Sequence, residues 1–272
     1  MSVCSRTYPV GVCSWSFQKG IDEIASIMDA MDVSHIHLSL AEALEANGEA
    51  YLESVKQKGW TITSTMLGFA HEDYSTLETI RKTGGIVPDE RWAFCLDAFK
   101  GAAKLTADLG VPYLSLHAGF LDMTDSAYAN KFLDRMRTLA DCAADNGISL
   151  LMETGQESAD ELLVFIERLN HDHVFLNFDP ANLILYNKDE PLKALPKLIP
   201  WIRHIHIKDA VRTSVPGTWG TEVPWGAGEV NAFVFLNTLE QLGYQGPLAI
   251  EREAGNQRVK DIASAVKRLQ AW

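Results

Sequence analysis

The chain has 272 residues, enough for one large domain or two small ones, and its 47% hydrophobic and 22% charged content reads as a soluble globular protein. A net charge of −12 argues against a nucleic-acid groove, which needs a basic face, and no window approaches the roughly 20 apolar residues of a membrane span. Cys4, Cys13, Cys95 and Cys142 are scattered, without zinc-knuckle or redox spacing, and Met1 to Val10 holds no apolar run behind a positive segment. The expected setting is therefore a reducing one, the cytoplasm.

Short apolar runs alternate with longer amphipathic ones. Pro9 to Trp15 reads as a first strand, and Gly20 to Met31 as a helix with Ile21, Ile24, Ile27, Met28 and Met31 at helical spacing. Ser34 to Leu40 and Trp60 to Leu67 are the next strands, with a helix over Glu49 to Lys58 between them. Gly68 to Pro88 reads as a long loop, and Asp89 to Leu109 as a helix with Asp89 as N-cap and Gly110 as its stop. Pro112 to His117 is a fourth strand, followed by a helix over Ser126 to Asn146. Ile148 to Glu153, Val174 to Asp179, His204 to Lys208 and Pro247 to Glu251 are the last four strands. Helices over Ser158 to Leu169, Pro191 to Ile199, Asn231 to Leu242 and Val259 to Gln270 follow them in turn, and Arg212 to Val230 is a loop rich in Gly, Pro and Trp.

Eight strand-then-helix units in this length fit an α/β fold, a closed (β/α)8 barrel of one domain over residues 1–272, better than an open doubly wound sheet. The first turn, Cys13 to Phe17, carries no glycine-rich phosphate fingerprint.

In such a barrel the C-terminal strand ends face one mouth, where chemistry sits. Glu153, Asp179, His206 and Glu251 end the last four strands. A single carboxylate at a strand end is usually a helix cap or a salt-bridge partner. Four such groups on consecutive strands instead suit a divalent cation: Mn²⁺ first, with Mg²⁺, Co²⁺ or Ni²⁺ as alternatives. Zn²⁺ is a lesser choice because catalytic zinc more often takes two or three nitrogens. His204 points to the same side as His206 and reads as a deeper hydrogen-bonded residue.

Around this set, His117 at the end of the fourth strand either orients a substrate hydroxyl and shuttles a proton or sits at the rim as a satisfied polar residue. Lys208 and Arg212 either bind substrate or balance Asp209. Asn182 either contacts substrate or caps the chain locally. Trp15, Phe17, Trp219 and Trp225 are candidates for an aromatic wall, and Pro224 to Glu229 for a backbone approach to phosphate.

These residues carry a resemblance. His117-Ala118-Gly119, Met152-Glu153-Thr154, Asn177 to Asn182, His204 to Asp209, the Pro224 to Glu229 run and Ile250-Glu251 resemble, in this order, the sugar phosphate isomerase/epimerase family of xylose-isomerase-like barrels. The resemblance covers nearly the whole chain. Ketose 3-epimerases of that family use a Glu, Asp, His, Glu metal site, which falls on Glu153, Asp179, His206 and Glu251, and a substrate-binding arginine that falls on Arg212. Two positions depart from them. Asn182 stands where they have a histidine, and Ala159 where they have a second glutamate, with Glu157 as its nearest substitute. Endonuclease IV shares the fold but needs a richer three-metal set, and the acidity of this chain disfavours DNA.

The implied activity is a metal-dependent isomerase or epimerase acting on a sugar, sugar phosphate or keto-sugar through an enediolate. Glu153 and Glu251 would be the catalytic acid and base, with Trp15, His117, Asn182, Lys208 and Arg212 on the substrate. The alternatives are a dehydratase of a keto-sugar or keto-inositol, as in the related inosose dehydratases, and a sugar-binding barrel without turnover. The expected partner is a small carbohydrate, with neither nucleic acid nor membrane; relatives often form dimers or tetramers, so a homo-oligomer is within what the resemblance implies.

Overall fold

In the computed structural model of the chain, residues 8–272 are described; Cys4 and most of the N-terminal segment read for a leader lie outside them. The elements run β1 (Val10–Cys13), α1 (Ile21–Ala30), β2 (His35–Ser39), α2 (Gly48–Gln57), β3 (Thr61–Leu67), α3 (Leu77–Thr83) and α4 (Trp92–Asp108). Then come β4 (Tyr113–Leu116), α5 (Ser126–Asp145), β5 (Ser149–Glu153), α6 (Ala159–Leu169), β6 (Val174–Phe178), α7 (Pro180–Leu185) and α8 (Pro191–Leu198). The chain closes with β7 (Ile202–Ile207), β8 (Asp209–Val211), β9 (Thr221–Val223), α9 (Ala232–Gln241), β10 (Leu248–Ile250) and α10 (Arg258–Gln270).

Eight strands close a parallel barrel in the order β1-β10-β7-β6-β5-β4-β3-β2, as the alternation of runs predicts. β8 and β9 stand apart as an antiparallel hairpin at the mouth. Between barrel and helices the core is filled by fully buried side chains, among them Phe99, Phe132, Phe165, Phe178 and Phe235. α6 shows how the sequence sets this up. Ser158 and Glu161 form a reciprocal capping box, and Ala159, Leu162, Phe165 and Leu169 fall on one buried face. No described helix is long and apolar enough to cross a membrane.

Four local expectations differ from the structure. The loop after β3 contains α3, started by a capping box at Thr76 and Thr79 that a search for Glu or Gln partners passes over. Asp89 does not cap α4, which starts after Arg91; its carboxylate instead joins Lys131 and Arg135 of α5. The loop after β7 contains β9, paired in register with β8. The extended reading of Pro9 to Trp15 ends at Cys13, where the chain enters a 3₁₀ turn over Ser14–Phe17 that swings Trp15 over the barrel mouth.

Candidate metal centre

β5, β6, β7 and β10 are neighbours in the barrel, so the residues at their C-terminal ends meet. His206 Nδ1 lies 3.3 Å from Glu153 Oε1, 3.3 Å from Glu251 Oε2 and 3.5 Å from Asp179 Oδ2. One donor atom from each of the four lies within 4.8 Å of all the others, and all four residues are buried.

Asp179 does two jobs because of α7. Its Oδ1 accepts from the backbone N–H groups of Ala181 (2.8 Å) and Asn182 (2.9 Å), capping a helix that begins at Pro180. Its Oδ2 is buried with no hydrogen-bond partner, and so is His206 Nδ1. Two orphaned polar atoms facing one point, with a carboxylate oxygen on either side, are what a divalent cation satisfies. The donor set of three carboxylates and one imidazole therefore fits a hard or borderline ion.

The flanking residues hold the carboxylates in place. Glu153 accepts from Asn182 Nδ2 (3.0 Å) and faces His117 Nε2 at 3.5 Å. Gly155 lets Asn182 approach this closely: its φ is +142°, and a Cβ there would sit 2.2 Å from that of Asn182. Glu251 accepts from Trp15 Nε1 (2.7 Å) and Lys208 Nζ (2.8 Å). Lys208 also reaches Glu253 (2.6 Å) and Asn182 Oδ1 (3.4 Å).

Burial works to neutralise each group, and the neighbours decide the outcome. Burial pushes Asp179 up, against Lys208 and His206. Burial would raise Glu251 too, but Lys208 and His206 hold it well below the usual carboxylate range. Burial pulls Lys208 down, yet Glu251, Glu253 and Asp179 outweigh it and keep the ammonium charged. Burial pulls His206 down as well, and Cys13, Glu251 and Glu153 raise it well above an ordinary histidine. The pocket thus favours positive charge at His206 Nδ1.

Above the centre opens a cavity of about 770 Å³. Trp15, His117, Asn182, Lys208 and Glu251 line it, while Glu153, Asp179 and His206 lie buried beneath. Arg212 is not in the lining; its guanidinium is held by Asn187 Oδ1 (2.7 Å), Asp189 O (2.9 Å) and Glu190 (3.2 Å). Of the aromatic candidates, Trp219 joins Trp15 in the wall, whereas Phe17 and Trp225 pack in the hydrophobic core. The backbone of the Pro224 to Glu229 run already has an anion. Gly226 and Gly228 donate to Asp209 Oδ2 (2.9 and 3.0 Å), and a Cβ at Gly228 would strike that carboxylate.

Tyr186 and Glu222 join the wall without a sequence signal, and three further residues that touch the centre or its lysine carry one that the strand-end reading passes over. His37 lies under the centre, its Nδ1 3.0 Å from His206 Nε2. Asn177 contacts His206, His204 and Glu153. Glu253 binds Lys208. Each had a period-two signal: His35-Ile36-His37 repeats the triplet His204-Ile205-His206, Asn177 precedes Asp179 by two, and Glu253 follows Glu251 by two. His204 is the deep hydrogen-bonded residue expected, between Asn177 Oδ1 (2.9 Å) and Thr63 Oγ1 (3.0 Å).

Glu157 is buried beside this centre. One of its carboxylate oxygens accepts from Gly155 N, and the other has no partner. Burial pushes its pKa from 4.5 up to about 8. A group raised on folding stabilises the fold fully below the unfolded value and loses that contribution as pH climbs through the folded one. Wild-type stability is therefore expected to fall between pH 5 and pH 8 relative to Glu157→Gln, which needs no proton there. Thermal melts across that range check it: the variant should match or trail wild type at pH 5 and exceed it by several degrees above pH 8. Parallel curves would rule the effect out.

The family described as xylose isomerase-like TIM barrel matches residues 20–272. A xylose isomerase domain protein from Planctomyces limnophilus superposes with a TM-score of 0.88 and 33% identity over 97% of both chains. A TIM-barrel protein from Mycobacterium smegmatis, solved in complex with magnesium, has the same fold at a TM-score of 0.74 and 20% identity over 97% of this chain and 96% of its own. Inosose dehydratase 1 of Bacillus cereus is 32% identical over 46% of this chain and 47% of its own length. The chain thus spans about half the length of the inosose dehydratases it matches. L-ribulose-5-phosphate 3-epimerase of Salmonella heidelberg is 24% identical over 100% of this chain and 93% of its own.

Proposed function

This chain belongs to the xylose isomerase-like TIM barrel family, and from that premise we propose that it is a divalent-metal-dependent isomerase or epimerase of a keto-sugar. The observation that carries the reading is the pair of buried unpartnered donors, Asp179 Oδ2 and His206 Nδ1, flanked by two glutamates on the floor of a sugar-sized cavity. Glu153, Asp179, His206 and Glu251 would hold the ion, with Mn²⁺ preferred for this donor set and Mg²⁺ present in one relative of the same fold. Bound there, a divalent cation supplies charge that polarises a ketone carbonyl and acidifies the adjoining C–H.

The chain's own residues do the rest. Glu251 and Glu153 flank β7 and β6 in the barrel order, so a substrate over the centre meets a carboxylate from each side. Lys208 and Trp15 keep Glu251 ionised and fixed, ready to take a proton from carbon. On the other side Glu153, held by Asn182, takes a proton from His117, 3.5 Å away and kept charged against burial by Glu153 and Glu72, and delivers it to carbon, giving the inverted centre of an epimer. Trp15, Tyr186 and Trp219 form a wall that stacks on a sugar face and excludes water.

Elemental analysis by mass spectrometry tests the centre. Wild type reconstituted with Mn²⁺ is expected to retain one ion, and Glu153→Gln and Glu251→Gln to lose it. With ketoses in D₂O, the loaded protein should exchange deuterium into the carbon beside the carbonyl. Wild type that stays metal-free after reconstitution would sink the reading. The match to inosose dehydratases supports one second reading, loss of water from the same enediolate; a product one water lighter than its substrate would identify it.

A further inference from the structure

Resting on that reading, we infer that the substrate is an unphosphorylated polyol ketone, because among the described residues no lysine or arginine of the cavity is free to receive a phosphate. Among the described residues, no arginine lines the cavity, and Lys208 is its one lysine. An ammonium has three N–H donors, and those of Lys208 are directed to Glu251 (2.8 Å), Glu253 (2.6 Å) and Asn182 (3.4 Å). Arg252, between two wall residues in the chain, and Arg212, the arginine the sequence points to, are committed elsewhere. Arg252 pairs with Glu222 and Asp261, and Arg212 with Asn187, Asp189 and Glu190.

The two backbone cradles that the sequence and fold offer a phosphate are filled as well. The glycine-rich run after β9, the best sequence candidate for a phosphate cradle, closes on the carboxylate of Asp209 through the N–H groups of Gly226, Gly228 and Val230. The N-terminus of α7, the helix nearest the centre, is taken by Asp179. The wall also holds four carboxylates, Glu72, Glu222, Glu251 and Glu253, and one imidazole, His117, which already faces Glu153 Oε1 at 3.5 Å. A phosphate ester would bring about two negative charges against these carboxylates with no partner to offset them. A neutral polyol meets acceptors and aromatic faces instead, which is what hydroxyl groups and C–H faces bind.

The test compares each ketose with its own phosphate ester on the Mn²⁺-loaded protein: D-fructose with its 6-phosphate, L-ribulose and D-ribulose with their 5-phosphates, and scyllo-inosose as a neutral cyclic probe. Deuterium exchange and product are followed, and binding is read separately by calorimetry. Wherever a pair is turned over, kcat/KM for the neutral member is expected to exceed that for the ester by about 100-fold or more. Raising the salt should narrow the ratio, since rim repulsion is screened. Glu253→Gln should narrow it too, by removing one carboxylate charge from the wall while keeping an acceptor for Lys208. An ester bound and turned over as well as its parent ketose overturns the inference while leaving the metal-dependent reaction standing. Failure of every probe, neutral and phosphorylated, to exchange deuterium overturns the proposed function and this inference with it.

Discussion

Asp179→Asn is expected to keep its fold and lose its metal. The two oxygens of Asp179 have separate duties: Oδ1 caps α7 through Ala181 and Asn182, while Oδ2 faces His206 Nδ1 without a partner. An asparagine side chain retains one carbonyl oxygen, and asparagine caps helices as well as aspartate does. The cap therefore survives, and an NH₂ group with no lone pair to offer replaces the ligand oxygen. Loss of a hydrogen-bond partner behind a ligand typically weakens metal affinity 10–100-fold, so loss of the ligand itself should exceed about 100-fold. Turnover should fall at least as far. Asp179→Ala loses both duties and should also melt lower, by about 1 kcal/mol for the missing cap. Calorimetric titration with Mn²⁺ beside a thermal melt separates the two effects. Full Mn²⁺ affinity in Asp179→Asn would place the ion elsewhere.

This split explains which parts of the molecule were legible in the sequence. The barrel was readable because each strand is a short apolar run and each helix has a period, and those patterns do not depend on partners far away. The four strand-end groups were readable for the same reason: a parallel barrel turns equivalent positions into neighbours. What escaped depends on neighbours that spacing alone does not supply. α7 is six residues long, too short to show a period, and its start is visible only once Asp179 is seen accepting from its N–H groups. Arg212 follows a motif at the right distance, yet the β8–β9 hairpin carries it toward Asn187 and Glu190 and out of the cavity lining. Asp209 looked like a group for Lys208 to balance, and it is instead the anion that closes the loop through Gly228.

His37 shows the same limit most sharply, and its replacement carries the second large effect. The residue is fully buried on β2, across the barrel from the strands that bear the ligands. Its Nε2 lies 3.3 Å from the carbonyl oxygen of Thr65, which can only accept, so that nitrogen carries a proton. Burial, with His206 adding to it, drops the pKa to about 3, so the ring is neutral and Nδ1 holds a lone pair. That lone pair faces His206 Nε2 at 3.0 Å. The carboxylates around His206 favour its protonated ring; when it gives up one proton, the one it keeps is drawn to Nε2, and its lone pair is left on Nδ1, toward Glu153, Asp179 and Glu251. The Asn177 amide nitrogen also lies 3.0 Å from His206 Nε2, but its oxygen faces His204 Nδ1, so the acceptor for that proton is His37 Nδ1. His37→Leu removes the main acceptor and should weaken Mn²⁺ binding about 10–100-fold. His37→Asn places a carbonyl oxygen near the position of Nδ1 and should recover most of the loss. The ¹⁵N shifts of His206 in the metal-free protein, followed through its titration, provide a readout that packing alone would not move: once the ring is neutral, the leucine variant should show the proton leaving Nε2. Equal Mn²⁺ affinity in His37→Leu and wild type, with both folded, would show that the ring beneath the centre only fills space.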